Sequence, residues 1–569
     1  MPDTARSNRS TRGAAGRQLL LLGLGAAGIF VALLLVLGGL LRLIGGGQVA
    51  GDGVDAVTQT ITLALNQEPP QLDSTLSTDK VSSFVLGHVM EGLLRYDEHN
   101  QLVPGVAERW EIRPDGATFW LRETARWSDG KPVTAHDFVF AWSHTVDPAT
   151  ASQYAYLMYP IKNAEAINTR KLPLETLGLR AGDDRTLEVE FERPVPFFDK
   201  MLAYKTFLPV RRDFFESRKP RYAADADDLL FNGPFMLTRW VHGAHVRMEK
   251  NPMYWDRDRI RLSVIDMPYI TNDVNSILNL YRDRKIAMVG QEAGIGSESL
   301  KQALAGGWPI HQMKDGSVWY LLLNHRPERL TRNLHLRKAL QLVVDNSEFL
   351  YRVLKTPGDI PARSYFPSWL QGREGLFQQE YPPHDIGLDS AEARRELELA
   401  RKELGLEKWP PLVLMTDDTP SATKQAEYFQ SVFKEKLGLT VRVDAQIFKL
   451  RLAKAETGDF DICVYGWGPD YDDPLTFGDM FETRNPNNHG RYSSAEMDRL
   501  VNVARTSLDA QTRMDAFGKI QDMIIDDAIV ILNFERGQLY VQDPRLAGVV
   551  RRAIGVDPDF SNAYVVDES

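Results

Sequence analysis

The chain has 569 residues, 43% hydrophobic and 25% charged, which implies roughly three or four domain-sized units and excludes a largely disordered protein. Its net charge of −10 gives no support to a nucleic-acid surface. The single cysteine, Cys463, excludes an intramolecular disulfide and reads as a small core side chain.

Leu19 to Leu41 is an uncharged apolar run of 23 residues, long enough to cross a bilayer. Arg6, Arg9, Arg12 and Arg17 precede it, against Asp3 alone. This bias makes residues 1–18 a cytoplasmic tail and exports everything beyond Arg42. Residues 19–41 are a transmembrane anchor or a signal. A secretory signal has a shorter apolar core and a small residue three before the cut, where Gln48 stands before Ala50. The uncleaved anchor is therefore the favoured reading. No cysteine follows the run closely to carry a lipid. Without residues 1–44, which hold five Arg and one Asp, the exported part has a net charge of −14.

Residues 42–57, with several glycines, form a linker off the membrane. TQTITLAL, Thr58 to Leu65, alternates as a strand, and Glu68, Pro69, Pro70 and Asp73 force a loop. Val81 to Leu94 has helical spacing and ends near a polar turn at Asp97 to Asn100. ATFWLR is a strand, WSDGKP a turn, and Thr134 caps a helix carrying Phe138, Phe140 and Trp142, with His136 facing solvent. Asn232 to Trp240 is a hairpin strand, and Asn251 to Asp256 is an aromatic-rich loop. Helices are expected over Glu292 to Lys301, Arg337 to Leu354, Ser390 to Leu406 with a Ser cap, Thr423 to Leu437, Ser493 to Ser507 and Ala510 to Ile525. LTVRVDAQ and AIVILNF are strands, the second the last of the chain. Strand–helix–strand alternation after Ser390 points to an α/β lobe.

The chain is organised around Gly458 to Phe477, GDFDICVYGWGPDYDDPLTF. Phe460 to Tyr465 has the pattern of a buried strand, which Gly466, Trp467, Gly468 and Pro469 then break. Asp470, Asp472 and Asp473 follow before Pro474. A glycine-lined edge beside an aromatic ring and a carboxylate suits an extended ligand with a cationic end, although a strand with an acidic turn accounts for the same residues.

No phosphate loop, zinc motif, nucleophile elbow or catalytic constellation is present in the sequence, and no metal or cofactor is expected. Asp470-Tyr471-Asp472 lacks the glycine and distal glutamate of a calcium loop. This weighs toward binding and away from enzyme activity.

PGVAERWE, LRETARWSDGKPVTAHDFVFAW, NGPFML, NPMYWD, RKALQLVVD from Arg337, and WGPDYDDPLTF occur in that order. Together they resemble the oligopeptide- and dipeptide-binding components of bacterial ABC transporters, solute-binding protein family 5, from about Ile61 onward. The resemblance implies an α/β fold of the type II periplasmic-binding-protein kind, with two hinged lobes made of three domains. Domain I would comprise 58–80, 204–314 and 533–569, domain II 81–203, and domain III 315–532. It implies a peptide ligand held extended between domains I and III. Asp470 would meet the peptide ammonium, and Gly466, Trp467 and Gly468 would form the flanking backbone edge. Glu68 and Pro69 would lie on the other side of the peptide, with Tyr154 near its amino end and Phe448 in a side-chain pocket. Arg326 falls near one position used for the peptide carboxylate. The other such positions fall on Ala422 and Val464, and Gly468 stands where relatives often carry a cysteine. Partners implied are an ABC permease with its ATPase subunits and, through residues 19–41, the cytoplasmic membrane from the periplasmic side. Alternatives are a murein peptide, glycoside or metal chelate bound by the same fold, or a membrane-tethered sensor or enzyme.

Overall fold

The computed structural model describes residues 52–290, 295–485 and 487–567. The expected anchor at 19–41 therefore lies outside the described residues. Among those described, no helix is long and apolar enough to cross a membrane.

Three sheets carry the architecture, and each draws on a different part of the chain. A five-stranded sheet runs in the order Val54–Asp55, Thr60–Leu65, Val264–Ile270, His245–Lys250, Phe235–Val241. A four-stranded antiparallel sheet comprises Ala107–Arg113, Gly116–Leu121, Thr186–Glu190 and Leu179–Asp183. The largest sheet runs Met288–Val289, Val530–Gln542, Ile310–Leu323, Ile462–Trp467, Leu412–Asp417, Val441–Gln446, with Ile360–Pro361 pairing the second of these. The residues from Gly53 onward form one compact unit.

The Ile462–Trp467 strand is buried on both faces, as its unbroken apolar run predicts. Ile462 and Val464 enter a core with Leu321, Leu412 and Leu414, while Cys463 and Tyr465 enter another with Tyr320 and Met415. Helices Leu334–Gln341, Ser390–Glu403 and Pro420–Leu437 cover the first of these faces. The acidic interruption, Asp461, is absorbed because its carboxylate accepts the Val413 N–H at 2.8 Å.

Two strands run through more than one core. Ile310–Leu323 and Val530–Gln542 begin or end with Ile310 and Val541 in a small cluster, and enter the core of Leu412 and Leu414 through Leu321 and Ile531. Their pairing breaks register between Lys314 and Val318, where Gly316 has φ +83°.

Several local expectations are corrected. The helix expected over 81–94 is Lys80–Val89, capped by Asp79, whose carboxylate accepts the Ser82 N–H at 2.8 Å. It stops because the Glu91 N–H goes to the Asn232 side chain at 3.0 Å, and Leu94–Tyr96 is a strand. The helix expected over 337–354 splits into Leu334–Gln341 and a turn at Asn346–Glu348, followed by a wide helical segment at Phe349–Leu354. Asp345 restarts it by accepting the Glu348 N–H at 2.9 Å. Asp389, not Ser390, caps Ser390–Glu403. The helix expected from Glu292 is Ser297–Ala305, and residues 291–294 lie outside the described set. AIVILNF is the first half of the longer strand Val530–Gln542, and short strands follow it.

Candidate functional site

Leu412–Asp417, Val441–Gln446 and Ile462–Trp467 are parallel, so their carboxyl ends share one edge of the sheet. Ligands of open α/β sheets bind in the crevice beyond such ends. Each strand feeds a segment that starts there: the helix Pro420–Leu437, the helix Phe448–Thr457, and the loop from Gly468 to Pro474.

The strands do not stay together. Ile462–Trp467 pairs with Leu412–Asp417 only at Ile462 and Cys463. On its other side it remains paired throughout, from Leu323 opposite Ile462 to Val318 opposite Trp467. Among the described residues, Val464 to Trp467 thus have one open backbone edge. It spans about 13 Å, enough to add an extended segment of roughly four residues.

The glycines therefore do not break the strand where expected, since Gly466 and Trp467 belong to it. Gly466 is required by its paired neighbour: a Cβ there would stand 2.8 Å from the indole of Trp319. Gly468 is different, for its nearest such neighbour is Ser317 at 3.8 Å, and it is exposed.

Thr476 shapes the loop after the strand. Its hydroxyl accepts the Asp470 N–H at 3.0 Å, and its carbonyl accepts the Trp467 indole N–H at 2.7 Å. Tyr471 stacks on Phe197 at 5.6 Å. Asp473 is not the solvated turn acid its neighbourhood suggests. It is 1% exposed and forms a two-pronged pair with Arg513, one arm at 2.7 Å. Arg513 also donates to the Ala504 carbonyl at 2.6 Å.

Asp470 is half-buried at the mouth of this loop, and the Tyr156 hydroxyl donates to its carboxylate at 3.4 Å. Desolvation pushes its pKa up to about 6, against the Tyr156 hydrogen bond and the Lys205 charge. Tyr154 packs edge-on against Tyr204 at 5.6 Å and lies 6.0 Å from Tyr156. Burial, and after it the Asp470 charge, raises the pKa of all three hydroxyls, so they stay neutral. Asp470, Trp467, Gly466, Gly468 and Tyr154 are thus brought together.

Of the remaining expected residues, Glu68 and Arg326 have partners of their own. The Glu68 carboxylate accepts the Trp240 indole N–H at 2.9 Å and the Gly243 N–H at 2.8 Å, and also pairs with His242. With Pro69, Pro70, Gln71, Pro220 and Tyr222 it lines a cavity of about 590 Å³. The Arg326 guanidinium donates to the carbonyls of His489 at 2.7 Å and Glu456 at 3.2 Å, beside Gly458. These bonds hold it at the amino end of the central strand. Phe448 opens the helix Phe448–Thr457, and its side chain lies outside the described set.

Four contributors escape sequence reasoning. Tyr156 was within reach, two residues beyond Tyr154 in the same aromatic run. Tyr204, Lys205 and Arg451 carried no local signal. Arg451 is 6% exposed, donates to Asp417 at 2.7 Å and lies over the Tyr465 ring at 5.1 Å, on the open-edge side of the strand. Cys463 is buried, and burial pushes its thiol up to about 12. Among the described residues no cluster of three or more His, Cys, Asp or Glu is placed to hold a metal.

Comparison with known proteins places this arrangement. Residues 101–489 match the family model described as bacterial extracellular solute-binding proteins, family 5 Middle. The chain is 32% identical over 513 residues to the oligopeptide-binding protein OppA of Bacillus subtilis, covering 89% of this chain and 92% of that one. It is 31% identical over 514 residues to the periplasmic OppA of Salmonella typhimurium, again covering 89% and 92%. The structure of Listeria monocytogenes OppA bound to peptide superposes with a TM-score of 0.76 at 30% identity, covering 90% of this chain and 99% of that one.

Proposed function

The chain belongs to the family 5 bacterial extracellular solute-binding proteins, and from that premise we propose that it captures peptides outside the cytoplasmic membrane and delivers them to an ABC permease. The observation that carries this reading is Asp470 standing beyond an open strand edge, walled by tyrosines. An extended peptide pairs its backbone with Val464 to Trp467, and its ammonium meets Asp470. Gly468 leaves room for the approaching chain. An ammonium between lobes has lost its water and needs a nearby opposite charge. The binding role requires no bond-making chemistry of the protein.

Asp470→Asn tests this by keeping the shape and removing the charge. Breaking such a pair costs about 3–5 kcal/mol, roughly a hundredfold to several thousandfold in affinity. Calorimetry should show that loss for a free-amine tripeptide and little change for its N-acetylated form. Equal affinities of wild type and variant for the free amine would remove Asp470 from the site.

Closure follows from the two long strands. Their register break at Lys314 to Val318 is the proposed hinge between domain I and domain III, with Gly316 absorbing the change. Gly316 also packs against Pro469, next to Asp470, which couples ligand to hinge. Scattering should report a smaller radius of gyration with ligand. The apolar run at 19–41 supports a further reading, a tether that leaves the protein periplasmic and membrane-bound. Intact mass showing a mature chain that starts near Gly51 would end that reading.

A further inference from the structure

Lys205 is a buried ammonium without a carboxylate partner. It is 7% exposed, and two of its three hydrogens go to neutral oxygens, the Asp79 carbonyl at 3.1 Å and the Ser83 hydroxyl at 2.5 Å. It forms no ion pair among the described residues. The Asp79 carboxylate caps Lys80–Val89, accepting the Ser82 N–H, and acts on Lys205 through space without pairing with it. The rings of Tyr154 and Tyr204 lie 5.7 and 5.4 Å from Nζ, so the ammonium shares the aromatic wall that surrounds Asp470. Asp470 and Lys205 feel one another electrostatically across that wall. Burial lowers the Lys205 pKa to about 8, which leaves it charged at neutral pH.

The site thus presents a carboxylate and, against the same tyrosines, an ammonium with two hydrogen bonds of a possible three among the described residues. A peptide whose ammonium docks on Asp470 brings a positive charge toward a positive charge. A basic first side chain worsens that repulsion, and a neutral one leaves Lys205 without a carboxylate in contact in a desolvated place. An acidic first side chain supplies a carboxylate in direct contact while the amine satisfies Asp470.

We propose that Lys205 selects ligands whose amino-terminal residue carries a carboxylate, with Asp470 holding the amine and Lys205 the acid. This rests on the reading of Asp470 given above, and the experiment separates the two. The full-length wild-type chain is titrated calorimetrically with Glu-Ala-Ala and with Gln-Ala-Ala, which differ only in that charge. The Glu peptide should bind about tenfold or more tighter, as a charge-assisted contact in a desolvated site provides. Lys205→Met, which keeps the apolar stem, should erase the difference, and Lys205→Arg should retain part of it. Equal affinities in the wild type would overturn the proposal while leaving peptide binding intact, and this comparison does not depend on any variant folding. A preference that survives in Lys205→Met would equally overturn the role of Lys205. Failure of both peptides to bind would refute the peptide reading and this inference with it.

Discussion

Asp473→Asn is the perturbation that best tests how the binding loop is held. The wild-type pair is nearly fully buried, with Asp473 1% and Arg513 7% exposed. Arg513 lies 5.2 Å from the rings of both Phe197 and Phe517, so no water replaces a lost carboxylate there. The asparagine keeps an acceptor for the Leu475 N–H, bonded at 2.9 Å in the wild type, but leaves the guanidinium uncompensated. Removing one partner of a buried pair costs about 3–5 kcal/mol. Urea denaturation followed by tryptophan fluorescence should show the midpoint falling by about 1 M or more. Because Asp473 anchors the turn that carries Asp470, peptide affinity should fall too. Replacing both charges, Asp473→Leu with Arg513→Met, removes the uncompensated charge and should recover most of the stability. A midpoint unchanged in the single variant, or a double variant no better than the single, would refute the view that this pair holds the loop.

The Asp470 carboxyl has a folded pKa raised to about 6 from 3.8, so the unliganded fold favours its protonated form and loses stability as pH rises between those values. Asp470→Asn should therefore melt higher than wild type at about pH 7.5, and the advantage should vanish near pH 3.5, below both values. For the same reason wild-type affinity for a free-amine peptide should fall as pH drops through about 6, and the variant should lack that dependence. Gly466→Ala drives a methyl into the Trp319 ring and should cost about 1–3 kcal/mol, with altered indole fluorescence. Gly468→Ala should melt like wild type yet bind peptide more weakly. Glu91 is buried and accepts the Tyr254 hydroxyl at 2.5 Å and the Trp255 indole N–H at 2.6 Å. Glu91→Ala should cost roughly 2–5 kcal/mol by orphaning those donors, measured by denaturation.

Local pattern determined much of this protein. Alternation marked Thr60–Leu65 and Gly116–Leu121, helical spacing marked Pro420–Leu437 and Ala510–Asp526, and an apolar run marked the doubly buried strand that ends at Trp467. These signals are readable because burial on a face repeats every two or every 3.6 residues within one segment. The run from Gly466 to Asp470 was legible as a candidate site for the same reason, since its glycines, ring and carboxylate are contiguous.

What the tertiary structure decided was partnership. Gly466 is glycine because Trp319, far earlier in the chain, lies over it. Arg326, which the resemblance puts near a position used for a peptide carboxylate, gives N–H groups to two backbone carbonyls of other segments. Glu68 is drawn to the turn of the Phe235–Lys250 hairpin, and Asp473 to Arg513 on a later helix. The open edge itself exists only because Leu412–Asp417 diverges from Ile462–Trp467 after Cys463. Tyr156 reaches Asp470 from the turn Ala155–Met158, and Tyr204 and Lys205 act on it from the segment after Met201. A side chain's chemistry is set by its own residue, but its charge state and its free hydrogen bonds depend on neighbours that only folding supplies.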